Sequence, residues 1–118
     1  MKRLAVLGST GSIGRNVLDV VRQFPEKFKI VGLAAGRNLP LLAEQIRDFK
    51  PALVSVQDQF LAADLASLVA SGNHTRIVSG IAGAQEVAAS TQADLVVSAM
   101  VGAVGLEPTL TAIYQGII

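Results

Sequence analysis

Seven consecutive residues, Gly8-Ser9-Thr10-Gly11-Ser12-Ile13-Gly14, hold the densest set of anion-binding groups in this chain. Each glycine has a separable job. Gly8 lets the chain turn tightly, where a Cβ would clash. Gly11 removes a side chain where a pyrophosphate would lie against the backbone, and Gly14 lets a following helix pack closely. Thr10 and Ser12 add hydroxyl donors. The apolar run Leu4-Ala5-Val6-Leu7 precedes the loop and an amphipathic segment follows it, so the order is strand, glycine-rich turn, helix. A helix entered this way offers unpaired N–H groups and its positive dipole end to a phosphate. The spacing is Gly-x-x-Gly-x-x-Gly rather than the stricter Gly-x-Gly-x-x-Gly. A tight turn in an α/β domain with no ligand therefore stands beside the dinucleotide reading.

A second group of residues bears on which dinucleotide. In such folds the tip of the second strand meets the adenine ribose roughly 20 residues past the loop, and NAD sites place Asp or Glu there. This chain places Gly36, Arg37 and Asn38 there, with no carboxylate. Arg37 can pair a 2′-phosphate through its planar fork of donors, which favours NADP(H) over NAD(H). Arg15 is a second candidate for that role. The competing reading makes Arg37 a solvated loop cation. Asn38 suits a helix cap on either reading.

The elements that must position these residues follow from periodicity and punctuation. Lys2 to Leu7 reads as the first strand. Ile13, Val17, Val20, Val21 and Phe24 recur at helical spacing, and Pro25 ends that helix. Phe28 to Ala35 reads as a second, buried strand. After Asn38, the stripe Leu39, Leu42, Ala43, Ile46 and Phe49 predicts a helix closed by Pro51. Ala52 to Val56 is a third strand, and Asp58 caps a helix with Leu61, Leu65, Leu68 and Val69 inward. Ser71-Gly72-Asn73 is a turn. Arg76 to Val78, Ile81 to Ala89 and Ala93 to Ser98 read as strand, helix and strand. The loop Ala99-Met100-Val101-Gly102-Ala103-Val104-Gly105 then suits either a flat ring approaching the backbone or a packed loop without ligand. Pro108 opens a last helix with Leu110, Ile113 and Tyr114 inward.

This pattern predicts an α/β fold, a Rossmann-like doubly wound parallel sheet in a single three-layer domain over residues 1–118, with strand order 3-2-1-4-5 expected. A chain of 118 residues is small for a complete enzyme of this kind, and half of it is apolar, as strands buried on both faces require. A net charge of +1 with both signs scattered argues against a nucleic-acid or membrane-surface footprint. The absence of cysteine excludes disulfides and thiolate chemistry without fixing the compartment. Met1-Lys2-Arg3 leads into a strand that ends at Gly8, too short for a targeting segment. His74, the one histidine, has no orienting partner in sequence. No paired carboxylates, metal-ligand spacing or Ser–His–Asp arrangement appears, and Glu107 suits a helix start. The residues describe a cofactor half without a catalytic half.

The stretch LGSTGSIGRNVLDVVRQFPEKFKIVGLAAGRN, with the later SAMVGAVGLEPTLTAI, closely resembles the N-terminal domain of the 1-deoxy-D-xylulose 5-phosphate reductoisomerases. The resemblance covers essentially the whole chain. It implies an NADPH- and divalent-metal-dependent enzyme, with magnesium or manganese. That enzyme rearranges and reduces 1-deoxy-D-xylulose 5-phosphate to 2-C-methyl-D-erythritol 4-phosphate in non-mevalonate isoprenoid synthesis. It also implies that Thr10, Gly11, Ser12 and Ile13 contact the cofactor phosphates and that Gly36, Arg37 and Asn38 hold the adenosine end. Ala99 and Met100 would lie towards the nicotinamide. Lysine often stands in the family where this chain has Arg37; both are cationic.

The family continues through Ala-Gly-Lys and Leu-Ala-Asn-Lys-Glu to its metal-binding carboxylates and substrate-phosphate site, whereas this sequence reads Gln115-Gly116-Ile117-Ile118 and stops. No position here matches the family's catalytic residues or metal ligands. The expectation is a cofactor-binding part that does not turn over substrate alone, from a cytoplasmic protein, with a homodimer and a sugar-phosphate substrate belonging to the full-length context. Two alternatives remain at this point. One is the cofactor domain of another NADP-dependent dehydrogenase, such as a semialdehyde dehydrogenase. The other is a free-standing nucleotide-binding module without catalysis.

Overall fold

Strand β1 (Lys2–Leu7) sets the frame, because its side chains alternate between two buried faces. Leu4 and Val6 join one core cluster and Ala5 and Leu7 the other. In a computed structural model that describes residues 1–69 and 74–98, the chain continues through α1 (Ser12–Gln23), β2 (Phe28–Ala34), α2 (Leu39–Phe49) and β3 (Leu53–Val56). It then runs through α3 (Gln59–Leu68), β4 (Arg76–Ser79), α4 (Gly80–Ser90) and β5 (Leu95–Ser98). All strand pairs are parallel, and the sheet order is β4-β3-β2-β1-β5.

This order corrects the expected 3-2-1-4-5. Helices α1, α2 and α3 carry the chain strand by strand in one direction, so right-handed crossovers put all three on one face. There Leu18 and Val21, Leu42 and Ile46, and Leu65 pack on Leu4, Val6, Ile30, Leu33, Val54 and Val56. The next step reverses. Helix α4 leaves the far edge and returns the chain to β5 beside β1, so the same handedness places it on the opposite face. Its Ala84, Val87 and Ala88 pack there with Ala5, Leu7, Ala34, Leu53 and Val96. Small residues make this long crossing fit. A Cβ on Gly32 of β2 would come within 2.9 Å of Val87 and Thr91, and one on Gly83 within 2.6 Å of the Ser55 hydroxyl. Periodicity cannot reveal this, because it reports which residues are buried and not which strand a helix leads to.

The buried face of α1 also differs from its expected one. Gly14, Leu18 and Val21 are buried, whereas Ile13, Val20 and Phe24 are 59%, 48% and 43% exposed. Two apolar stripes lie side by side on this helix, and the close approach of Gly14 selects the one that contains Leu18. In α3, Leu65 is buried and Leu61 and Val69 pack against the core, but Leu68 is exposed. The cap residues behave as expected. Leu41 N–H donates to Asn38 Oδ1 at 3.4 Å, and Leu61 N–H to Asp58 Oδ1 at 2.9 Å.

Polar ties hold the edges. Arg22 of α1 bridges Asp19 and Asp48 and lies 4.9 Å from the centre of the Phe49 ring, joining α1 to α2. Asp94 accepts the Arg3 backbone N–H at 2.8 Å just before β5, and that bond holds its carboxyl below the usual range. Arg76 pairs with Glu86. The turn at Ser71-Gly72-Asn73, the loop from Ala99 and Met100 to Gly105, and the helix expected after Pro108 lie outside the described residues.

Candidate nucleotide-binding site

The chain reverses its direction of travel across the sheet between β1 and β5, and in open α/β sheets ligands lie over the carboxyl ends of the strands at such a switch. The loop Gly8–Gly14 leaves β1 at that place. Gly8 has φ +86°, a conformation that favours glycine. The N–H groups of Gly8 and Ser9 both donate to the Ala34 carbonyl, at 2.6 and 3.0 Å. These two bonds bring the first loop beside the end of β2, where Gly36, Arg37 and Asn38 follow. The two groups of residues singled out in sequence are therefore neighbours in space.

The mouth of the loop is built to leave donors free. Gly11 is the N-cap of α1 and no side chain caps that helix, nor does its first turn carry an acid. The first intrahelical bond at this end is Arg15 N–H to the Gly11 carbonyl at 2.9 Å. The N–H groups of Ser12, Ile13 and Gly14 precede it and have no helical acceptor. Gly11, Ser12 and Ile13 are exposed and Thr10 is half-buried. Ile13 is thus an apolar side chain held at the mouth rather than in the core.

The glycines divide by what they touch. A Cβ on Gly14 would fall 2.1 Å from the Gly8 carbonyl oxygen, so the fold itself demands glycine there. A Cβ on Gly11 would meet nothing closer than 3.6 Å, and one on Gly36 nothing within 4 Å. Packing among the described residues does not require these two glycines.

Among the described residues neither Arg15 nor Arg37 is ion-paired. Arg37 and Asn38 are exposed at the start of α2. Arg15 bends back on its own turn, its Nε donating to the Gly11 carbonyl at 3.4 Å. It also lines a groove of about 550 Å³ between α1 and α2, running from Ser12 past Gln45 to Asp48. Arg37 is not among the lining residues of that groove. His74 is exposed. No group of three His, Cys, Asp or Glu able to hold a metal occurs among the described residues.

One buried residue was missed by the sequence pattern. Gln45 of α2 is 1% exposed, and its Nε2 donates to the Ser9 carbonyl at 2.9 Å. The signal was a polar residue inside an apolar stripe, between Leu42 and Ile46.

The comparisons with known proteins agree with this fold. Residues 4–117 match the family model for 1-deoxy-D-xylulose 5-phosphate reductoisomerase. The reductoisomerases of Chlorobium phaeovibrioides and Chlorobium phaeobacteroides are 52% and 56% identical to the chain over 98% of its length. The chain spans 30% of the length of these curated relatives. Among solved structures, the reductoisomerase of Zymomonas mobilis in complex with NADPH superposes with a TM-score of 0.90 at 30% identity, over 98% of this chain and 30% of that one. A DOX-P reductoisomerase in complex with NADPH, fosmidomycin and magnesium gives 0.91 at 36% identity, over 99% and 29%.

Proposed function

The chain belongs to the 1-deoxy-D-xylulose 5-phosphate reductoisomerase family, and from that premise we propose that residues 1–118 form its NADPH-binding domain. The observation that carries the reading is the uncapped start of α1 beside two glycines that packing among the described residues does not require. The N–H groups of Ser12, Ile13 and Gly14 and the hydroxyls of Thr10 and Ser12 take the pyrophosphate, with Gly8 and Gly11 keeping the backbone open to it. Gly36, Arg37 and Asn38 take the adenosine end, Arg37 by pairing the 2′-phosphate. Ala99 and Met100 lie towards the nicotinamide. The bound NADPH supplies the hydride; these residues bind and orient it.

In the full-length setting the reaction is conversion of 1-deoxy-D-xylulose 5-phosphate to 2-C-methyl-D-erythritol 4-phosphate, a step of isoprenoid synthesis. The described residues do not fit the family's divalent metal, since they hold no ligand cluster, and its site is not assigned to them. We place the protein in the cytoplasm, as a homodimer in its full-length form. Among the described residues no helix is long and apolar enough to cross a membrane. The 118-residue chain alone is expected to bind NADPH without turning over the sugar phosphate.

Gly11→Ser separates this reading from that of an empty tight turn. Serine is a good N-cap whose oxygen accepts the N–H groups a phosphate would take. Stability should hold within about 1 kcal/mol or rise, while NADPH affinity falls about tenfold or more, read by calorimetric titration and thermal unfolding. Unchanged affinity would remove the phosphate from this helix end.

A further inference from the structure

We infer that Gln45 is a positioning residue that latches the nucleotide loop to α2, and so sets the pyrophosphate contacts relative to the Gly36–Asn38 contacts. The inference rests on Gly8–Gly14 being the cofactor's phosphate loop. Three observations carry it. Gln45 is buried on the apolar face of α2, where leucine would pack with no polar atom to satisfy. Its Nε2 reaches the Ser9 carbonyl at 2.9 Å, a contact between residues 36 apart in sequence. Its Oε1 and the neighbouring Ser9 hydroxyl are both buried without a hydrogen-bond partner. The one side-chain hydrogen bond that Gln45 makes among the described residues is to the loop.

The geometry gives that bond a role. Ser9 is completely buried and is held from both sides: its N–H donates to Ala34 of β2 and its carbonyl accepts from Gln45. The next residues, Thr10 to Gly14, carry the proposed phosphate donors. Helix α2 begins immediately after Asn38, its N-cap, so the element that carries the latch starts where the adenosine-end residues stop. Without Nε2, the Ser9 peptide keeps only its bond to β2, and the donors downstream lose their fixed distance from Arg37.

Two variants test this in the whole chain, with amide hydrogen exchange and NADP+ titration as readouts. Gln45→Met keeps an unbranched side chain of similar size and removes the donor. It should speed exchange at Gly8, Ser9 and Gly11 about tenfold without nucleotide, leave α3 unchanged, and weaken NADP+ about tenfold. Gln45→Glu supplies a donor only when the introduced carboxyl is protonated, and burial raises its pKa. Its affinity for NADP+, taken as a ratio to the unmodified chain at each pH, should recover as the pH falls from about 8 to about 5. Loop exchange in Gln45→Glu should slow over the same range. A residue that merely fills space would show neither pH effect. Unchanged loop exchange in Gln45→Met, or a flat ratio in Gln45→Glu, overturns the inference. Failure of the unmodified chain to bind NADP+ overturns the cofactor reading instead, and exchange then still decides the latch.

Discussion

Gly14→Ala is expected to destabilise the domain by about 3 kcal/mol, lowering the unfolding midpoint by about 15 °C. The added Cβ would stand 2.1 Å from the Gly8 carbonyl oxygen, 2.7 Å from the Ser9 Cα and 2.9 Å from the Gly8 carbonyl carbon. All three atoms are backbone, so no rotamer change relieves them. Either α1 lifts off β1 or the loop moves. Alanine's better helix propensity returns only about 1 kcal/mol, so the steric term wins. If the loop is what moves, NADPH binding is lost even in the surviving folded fraction. Gly36→Ala is the matched control for stability, because its Cβ enters open space. Its midpoint should be unchanged or slightly raised. A Gly14→Ala chain as stable as the control would show that the helix start does not rest on the loop as described.

Arg37→Ala should weaken NADPH by about 10- to 100-fold while leaving NADH binding within about twofold. The 2′-phosphate is the only group that distinguishes the two cofactors. Hydrogen bonds between a guanidinium and a phosphate are charge-assisted and exceed a neutral bond in strength. Arg37 is exposed and not ion-paired among the described residues, so its removal breaks no ion pair of the fold. Arg37→Lys keeps the charge and loses the fork, and should fall between the two. An equal loss of NADPH and NADH would move Arg37 from the 2′-phosphate to the shared part of the cofactor. Arg15→Ala provides the comparison, since Arg15 faces the groove between α1 and α2.

Much of this arrangement was legible because punctuation and period act locally. The turn at Gly8, the cap at Asn38 and the apolar run of β1 each depend on a few adjacent residues, and each stands where expected. The strand order was not legible, because it depends on which strand follows α4 in space. Gly32 and Gly83 make room for the packing of α4 on the sheet, and their value appears only when helix and sheet meet. The inward face of α1 was misjudged for a related reason. Val20 and Phe24 are as apolar as Leu18, and the contact of Gly14 with Gly8 decides between them. Gln45 escaped notice because a single glutamine in an apolar stripe looks like a solvated position until its partner, 36 residues earlier, is placed beside it. At the proposed site, Gly8 to Gly14 and Gly36 to Asn38 were chosen from residue types alone, and the bonds of the Gly8 and Ser9 N–H groups to the Ala34 carbonyl bring the first group beside the strand that leads into the second.

The central claim is that this chain is a preformed NADPH-binding domain, and the most direct measurement is a paired calorimetric titration of the folded 118-residue chain with NADPH and NADH. The account predicts saturable binding of NADPH with one site per chain, and affinity for NADH weaker by about tenfold or more. A chain shown to be folded that binds neither cofactor, or binds both equally, would contradict it.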